Sequence, residues 1–174
     1  EQAGYDASYS FEIGAVSVPP AWEDAMTYAF PTLTIKQPVV LDFGAAGKGY
    51  LVDIVAELLT EAHYETYCVN AGGDIVVKGM QRIGLEDPRN TEHAIGIIEL
   101  SDAALCGSAG HRRQWGTYQH TINPQTLASP TDIQAIWVLA DHALLADGIA
   151  TALYFTDPEE LRKQYSFEYA IMKA

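Results

Sequence analysis

The sequence predicts an α/β protein folded as one domain, and three observations predict it. Short runs of apolar, β-branched and aromatic residues recur between glycine-, proline- and Asx-rich breaks, the pattern of strands. Residues 51–59 instead place Leu51, Ile54, Val55, Leu58 and Leu59 at i, i+3, i+4, i+7 and i+8, one face of a helix. The chain of 174 residues is 48% hydrophobic, enough for one sizeable core.

The elements follow in order. Tyr9, Phe11 and Ile13 alternate with Ser10 and Glu12 as in a strand. Pro19-Pro20 breaks the chain, and residues 21–30 read as one short helix ended by Pro31. Strands are expected at 32–35 and over Val39, Val40 and Leu41, the last as the end of a buried strand. The helix from 51 comes next, then strands at 66–69 and 75–78 around a turn at Gly72-Gly73. That turn reads either as a plain hairpin or as a close approach to a ligand. Residues 83–85 end a strand before the loop 86–90, and 94–100 and 103–108 read as two neighbouring strands. Strands at 118–122 and 133–140, helices at 143–155 and 158–164, and a closing strand at 167–172 complete the chain. No internal repeat or low-complexity tract appears.

Composition narrows the function. Net charge is −13 and the pI about 4.5, which argues against a general nucleic-acid or anionic-membrane surface. It leaves room for a local phosphate or metal site within an acidic exterior. Cys68 and Cys106 are too few for a disulfide framework and lack zinc spacing. Each lies in an apolar run, so two buried thiols are expected. No apolar run reaches membrane-spanning length. The chain shows no signal-peptide pattern and does not begin with Met, which leaves a processed or trimmed start open.

The chemistry concentrates at residues 41–53, where a strand-like run meets Gly44, Gly47 and Gly49 and then a helix. This order points free backbone N–H groups and a positive helix end at one place, where a phosphate can sit. Lys48 adds a cation and Asp42 a carboxylate. The stretch fits neither the P-loop, since Gly49 follows the lysine, nor the Gly-x-Gly-x-x-Gly dinucleotide fingerprint. A plain strand–helix connection remains the alternative.

Asp147 and Thr151 share one helical face at i and i+4. A carboxylate and a hydroxyl so placed form an oxygen pair for Mg²⁺, with phosphate and water completing the shell. The bland alternative is an exposed Asp beside a Thr bonded to helix carbonyls. The basic cluster His111-Arg112-Arg113 is either a solvated loop or an anion contact, and His120 either a structural histidine or a site group.

Several motifs occur in one order. They run Asp42-Phe43-Gly44-Ala45-Ala46-Gly47-Lys48-Gly49-Tyr50-x-x-Asp53, Val69-Asn70-Ala71-Gly72-Gly73-Asp74-Ile75, and Arg82-Ile83-Gly84-Leu85-Glu86-Asp87-Pro88. Then come Cys106-Gly107-Ser108-Ala109-Gly110, His120-Thr121-Ile122-Asn123-Pro124-x-Thr126, and Ala146-Asp147-Gly148-Ile149-Ala150-Thr151-Ala152-Leu153. The series resembles the ApbE family, the FAD:protein FMN transferases, over residues 39–156. The resemblance implies an α+β form of the α/β class, with mostly antiparallel sheets and packed helices. It implies a single domain over 1–174 whose amino-terminal part is shortened relative to the family. It implies an Mg²⁺-dependent enzyme that splits the FAD pyrophosphate, transfers FMN to a Thr or Ser hydroxyl of a target flavoprotein and releases AMP.

By position, the resemblance assigns FAD contacts to Asp42, Lys48 and the backbone at Ile122, and the glycine turn read from the sequence adds Gly44 against the same ligand. It assigns Mg²⁺ to the carbonyl of Ala45 with Asp147 and Thr151. His120 falls beside the pyrophosphate, where an imidazole can accept the proton of the incoming hydroxyl. Asn123 stands where the family usually has Asp, and Leu127 where it usually has Gly. Family members are often exported and lipid-anchored, but no such signal is visible in this chain. Two other readings stay open: a FAD pyrophosphatase giving FMN and AMP, and a flavin-binding protein without catalysis. The acceptor and the compartment are not set by the sequence, and a homo-oligomer is compatible with it.

Overall fold

The computed structural model describes residues 3, 4, 6, 8 and 10–174. A four-residue helix, α1 (Trp22–Ala25), leads into a hairpin of β1 (Met26–Ala29) and β2 (Thr32–Ile35). Helix α2 (Gly47–Glu61) follows, then β3 (Tyr67–Asn70), β4 (Asp74–Asp87) and β5 (Asn90–Ala109). A 3₁₀ turn (Gly110–Arg112) precedes the two-residue strands β6 (Gln114–Trp115) and β7 (Tyr118–Gln119). The chain closes with β8 (Ile133–Ala140), α3 (Ala143–Ala152), α4 (Pro158–Arg162) and β9 (Glu168–Lys173).

The main sheet has the order β3-β4-β5-β8-β9, and every pairing in it is antiparallel. Its central strands carry apolar residues on both faces. Ala104, Cys106, Ile136 and Val138 face α2 and α3 and pack with Val52, Ala146, Ile149 and Ala150. The alternate residues Leu105, Trp137 and Leu139 join Ile75, Val77 and Leu100 in a second cluster.

Helices α2 and α3 hold each other by their ends. Neither Ala46 nor His142, the residues before them, caps its own helix with a side chain. Asp53 of α2 instead accepts the N–H groups of Ala143 and Leu144 at 2.9 and 2.8 Å. Asp147 of α3 accepts the N–H of Gly49 at 3.0 Å. Each helix thus supplies the carboxylate that satisfies the other's free donors.

The buried side of α2 is Gly49, Val52 and Ala56, with Leu51, Ile54 and Leu58 exposed. The face expected from the large apolar residues is only partly buried: Leu51, Ile54 and Leu58 are turned toward solvent, while Val55 and Leu59 are half-buried. Close approach of α3 selects small residues: a Cβ on Gly49 would lie 2.2 Å from the Ala143 carbonyl oxygen.

Other expectations are also corrected. Residues 39–41 form no strand and Val40 is exposed, because no strand pairs with them. Residues 21–30 are helical only to Ala25; Thr27 and Tyr28 then pair with Thr34 and Leu33. No strand runs over 10–20, and Tyr9 lies outside the described residues. The expected strands 94–100 and 103–108 are one strand, β5. Their break at Ser101-Asp102 is a bulge, where Asp102 has φ 47° and accepts the Gly79 N–H at 3.0 Å. The strand expected at 118–122 shortens to Tyr118–Gln119. Cys106 is buried but Cys68 is exposed, since alternation along the edge strand β3 turns it outward.

Candidate functional site

A cavity of about 930 Å³ opens between the glycine turn, α3, the loop after β7 and the sheet. Asp42, Gly44, Ala45, Lys48, His120, Ile122, Asp147 and Thr151 all line it. The residues assigned to FAD, to Mg²⁺ and to proton transfer therefore reach one space.

The turn is built locally. Asp42 Oδ1 accepts the Gly44 N–H at 2.6 Å, an Asx turn. A Cβ at Gly44 would sit 2.9 Å from that same oxygen, so the turn closes best with glycine. Phe43 O accepts the N–H groups of Ala46 and Gly47 at 3.1 and 2.7 Å, which starts α2 with its first turn toward the cavity. Gly49 plays a different part from the one its place in the glycine stretch suggests. Its missing side chain admits α3, and its N–H is taken by Asp147.

Asp147 is buried, and that burial pushes its carboxyl above the usual range, against the opposing pull of the Gly49 N–H and Lys48. A buried carboxylate of this kind gains from a nearby cation. Thr151 lies one turn on, and Ala45 lines the same cavity from the glycine turn. Among the described residues no group of three or more His, Cys, Asp or Glu gathers to hold a metal. A cation here needs carbonyl and hydroxyl oxygens and ligand oxygens beside the one carboxylate.

His120 is half-buried. Burial lowers its pKa below the ordinary 6.5, and the charges of Arg113 and Lys48 lower it further. The imidazole is neutral near pH 7 and able to accept a proton. Asn123 shapes the loop beside it: its Oδ1 accepts the N–H groups of Gln125 and Thr126 at 2.8 and 3.1 Å. An Asp would accept the same bonds. Leu127, four residues on, has φ 58°, a conformation that favours glycine.

Sequence reasoning missed part of the lining. Arg82, Glu86 and Trp137, given no role by the sequence, join the wall, beside His111 and Arg113 of the basic cluster, which the sequence leaves as either a solvated loop or an anion contact. Glu86 stands 3.7 Å from His111. It also missed Asp74, which is fully buried and paired with Lys48. A charge at the head of the apolar strand 75–78 was the available signal. Cys106 is no nucleophile, since burial pushes its thiol to about 12 and it donates to the Ala143 carbonyl.

Comparison with known proteins gives the family and the fold. The model of the ApbE family matches residues 12–171. A FAD:protein FMN transferase of Klebsiella pneumoniae (strain 342) is 29% identical over 149 residues, covering 76% of this chain and 43% of the relative. One from Vibrio cholerae serotype O1 is 32% identical over 126 residues, covering 65% and 37%. The chain thus spans less than half the length of these curated relatives. The crystal structure of the ApbE protein from Thermotoga maritima superposes with a TM-score of 0.76 at 23% identity, over 87% of this chain and 55% of that one. The flavin transferase ApbE from Vibrio cholerae gives 0.69 at 25% identity, over 92% and 64%. A family match over most of the chain, on the same fold, means that the chain belongs to the ApbE family.

Proposed function

We propose that this chain forms one domain carrying the reacting site of an Mg²⁺-dependent FAD:protein FMN transferase. The observation that carries the reading is the shared cavity, where a lysine, a neutral histidine, a buried carboxylate and a glycine turn line one space. A dinucleotide diphosphate suits that set. Asp42, Gly44, Lys48 and the backbone at Ile122 bind FAD in this reading. The Ala45 carbonyl, Asp147 carboxylate and Thr151 hydroxyl are all oxygen donors, as a hard cation with few protein ligands requires. Bound there, Mg²⁺ supplies charge neutralisation on the phosphoryl oxygens.

The chain's residues then do three things. Lys48, with Asp42 and Gly44 of the glycine turn, fixes the diphosphate. Asp147 stays ionised against the cation. His120 accepts the proton of a Thr or Ser hydroxyl on the acceptor flavoprotein. That hydroxyl oxygen bonds to the phosphorus on the riboflavin side, the bond from this phosphorus to the bridging oxygen breaks, and AMP leaves with that oxygen.

Incubation with FAD, Mg²⁺ and a candidate acceptor tests the reading by AMP release and in-gel flavin fluorescence. Flavin fixed to the acceptor with matching AMP is expected. AMP with only free FMN identifies the pyrophosphatase, and FAD binding with neither product identifies a flavin-binding protein. No binding of FAD overturns the reading.

A further inference from the structure

We propose that Asp74 is a positioning residue: it holds the Lys48 ammonium at the cavity wall, so that a diphosphate meets a cation already in place. This deepens the FAD reading and rests on it. Asp74 pairs in register with Cys106, which puts its side chain on the helix-facing side of the sheet. That side is the apolar cluster around Cys106, Ile136 and Ala146. The carboxylate is fully buried there, and Oδ1 has no hydrogen-bond partner. Oδ2 accepts from Lys48 Nζ.

A buried carboxylate is costly without a paired charge. Lys48 answers that demand from the first turn of α2, and so its place is set by a group outside the cavity. The Asp74 backbone is itself fixed: its carbonyl accepts the Ala71 N–H at 2.9 Å, and the Gly73 carbonyl accepts the Gly107 N–H at 3.0 Å. The Lys48 side chain is 47% exposed and lines the cavity, so the pair is open on the ligand side. An ammonium has three donors, and one given to Asp74 leaves two for ligand oxygens. A lysine stem is flexible, and anchoring it beforehand removes the ordering cost that a ligand otherwise meets. Asp74 acts through Lys48 and touches no reacting atom.

The test uses wild type, Asp74→Asn, Lys48→Met and the double variant, each with two readouts. The first is the ¹⁵N signal of the Lys48 ammonium, identified by its loss in Lys48→Met. It is expected to be protected from exchange in the free wild type and unprotected in Asp74→Asn. The second is affinity for FAD and for riboflavin, which lacks phosphate. Asp74→Asn should weaken FAD binding about tenfold or more, the scale of a charged hydrogen bond. It should leave riboflavin affinity unchanged, and the double variant should be no weaker than Lys48→Met alone. Wild-type FAD affinity in Asp74→Asn, equal losses for FAD and riboflavin, or additive losses in the double variant overturn the proposal. So does an unprotected Lys48 ammonium in the wild type, a result that needs no variant to fold. Wild type that binds no FAD overturns the functional reading instead, while the ammonium signal still reports whether Asp74 holds Lys48.

Discussion

The Asp147 carboxylate meets the backbone N–H of Gly49 at 3.0 Å, joining residues 98 apart in the chain. The same contact closes the α2–α3 interface, where a Cβ at position 49 would meet the Ala143 carbonyl oxygen at 2.2 Å. Backbone cannot swing away as a flexible side chain can. Gly49→Ala is therefore expected to cost stability, on the order of 2 kcal/mol, even without ligand. Urea unfolding of the ligand-free protein checks this; an unchanged midpoint would return Gly49 to a purely ligand-facing role.

Asp147 also carries the metal prediction. FAD affinity should rise with Mg²⁺ in the wild type and lose that dependence in Asp147→Ala. Calorimetric titrations with and without Mg²⁺ decide it. The same Mg²⁺ effect in the variant would remove Asp147 from the ligand set.

His120 gives a prediction in rate and in pH. A residue acting only as a general base adds to rate and little to ground-state binding. His120→Ala should cut AMP release by about 10²–10⁴-fold and barely move FAD affinity. Because burial lowers the folded-state pKa below 6.5, the unfolded chain binds this proton more readily. The stability linked to His120 is complete above pH 6.5 and declines as pH falls through the folded value. Activity should accordingly hold at pH 6.5, with the His120 acid limb below it. A pH–rate profile of FAD turnover, set beside chemical melts over the same range, reads both. A limb above pH 6.5 would contradict the burial argument.

The loop after His120 departs from the family in two places that the structure separates. Asn123 already makes the Asx bonds that an Asp would make, so Asn123→Asp should leave AMP release within about twofold. Leu127 bears the strain, at φ 58°. Leu127→Gly should raise stability by about 1 kcal/mol, the scale of a left-handed residue with a side chain. Paired thermal melts and AMP assays test the two. Activity restored by Asp at 123 would mean that charge, not turn geometry, matters there.

Local chemistry was legible in the sequence, and partnership across the chain was not. The glycine turn, the Asp147–Thr151 pair and the strand 133–140 announce themselves within a few residues, because spacing alone defines them. The role of Asp74 cannot be read from its motif, since its partner Lys48 lies 26 residues away. Asp53 gave no sign that it caps a helix 90 residues later. The face of α2 is only partly the expected one for a physical reason: large apolar residues mark a buried stripe only where the neighbour stands off, and α3 comes close enough to demand Gly49. Val39 to Leu41 had strand-forming side chains but no strand to pair with. Ser101-Asp102 had the composition of a turn and became a bulge.

The mutual capping of α2 and α3 also fixes when the site comes into being. Closing a loop of this span is slow relative to forming a hairpin, and a helix end without its cap frays. The long β4–β5 hairpin is local and can form early. The glycine turn, although made before it during synthesis, acquires its Asp147 contact only after residue 143 and its helix exist. Competence is thus a late event in folding, and a nascent chain stopped before α3 holds a turn with nothing to brace it. Pulse-labelled hydrogen exchange during refolding should show the Gly49 amide protected no earlier than the amides of Ala143 and Leu144. Earlier protection at Gly49 would mean that the turn organises itself alone.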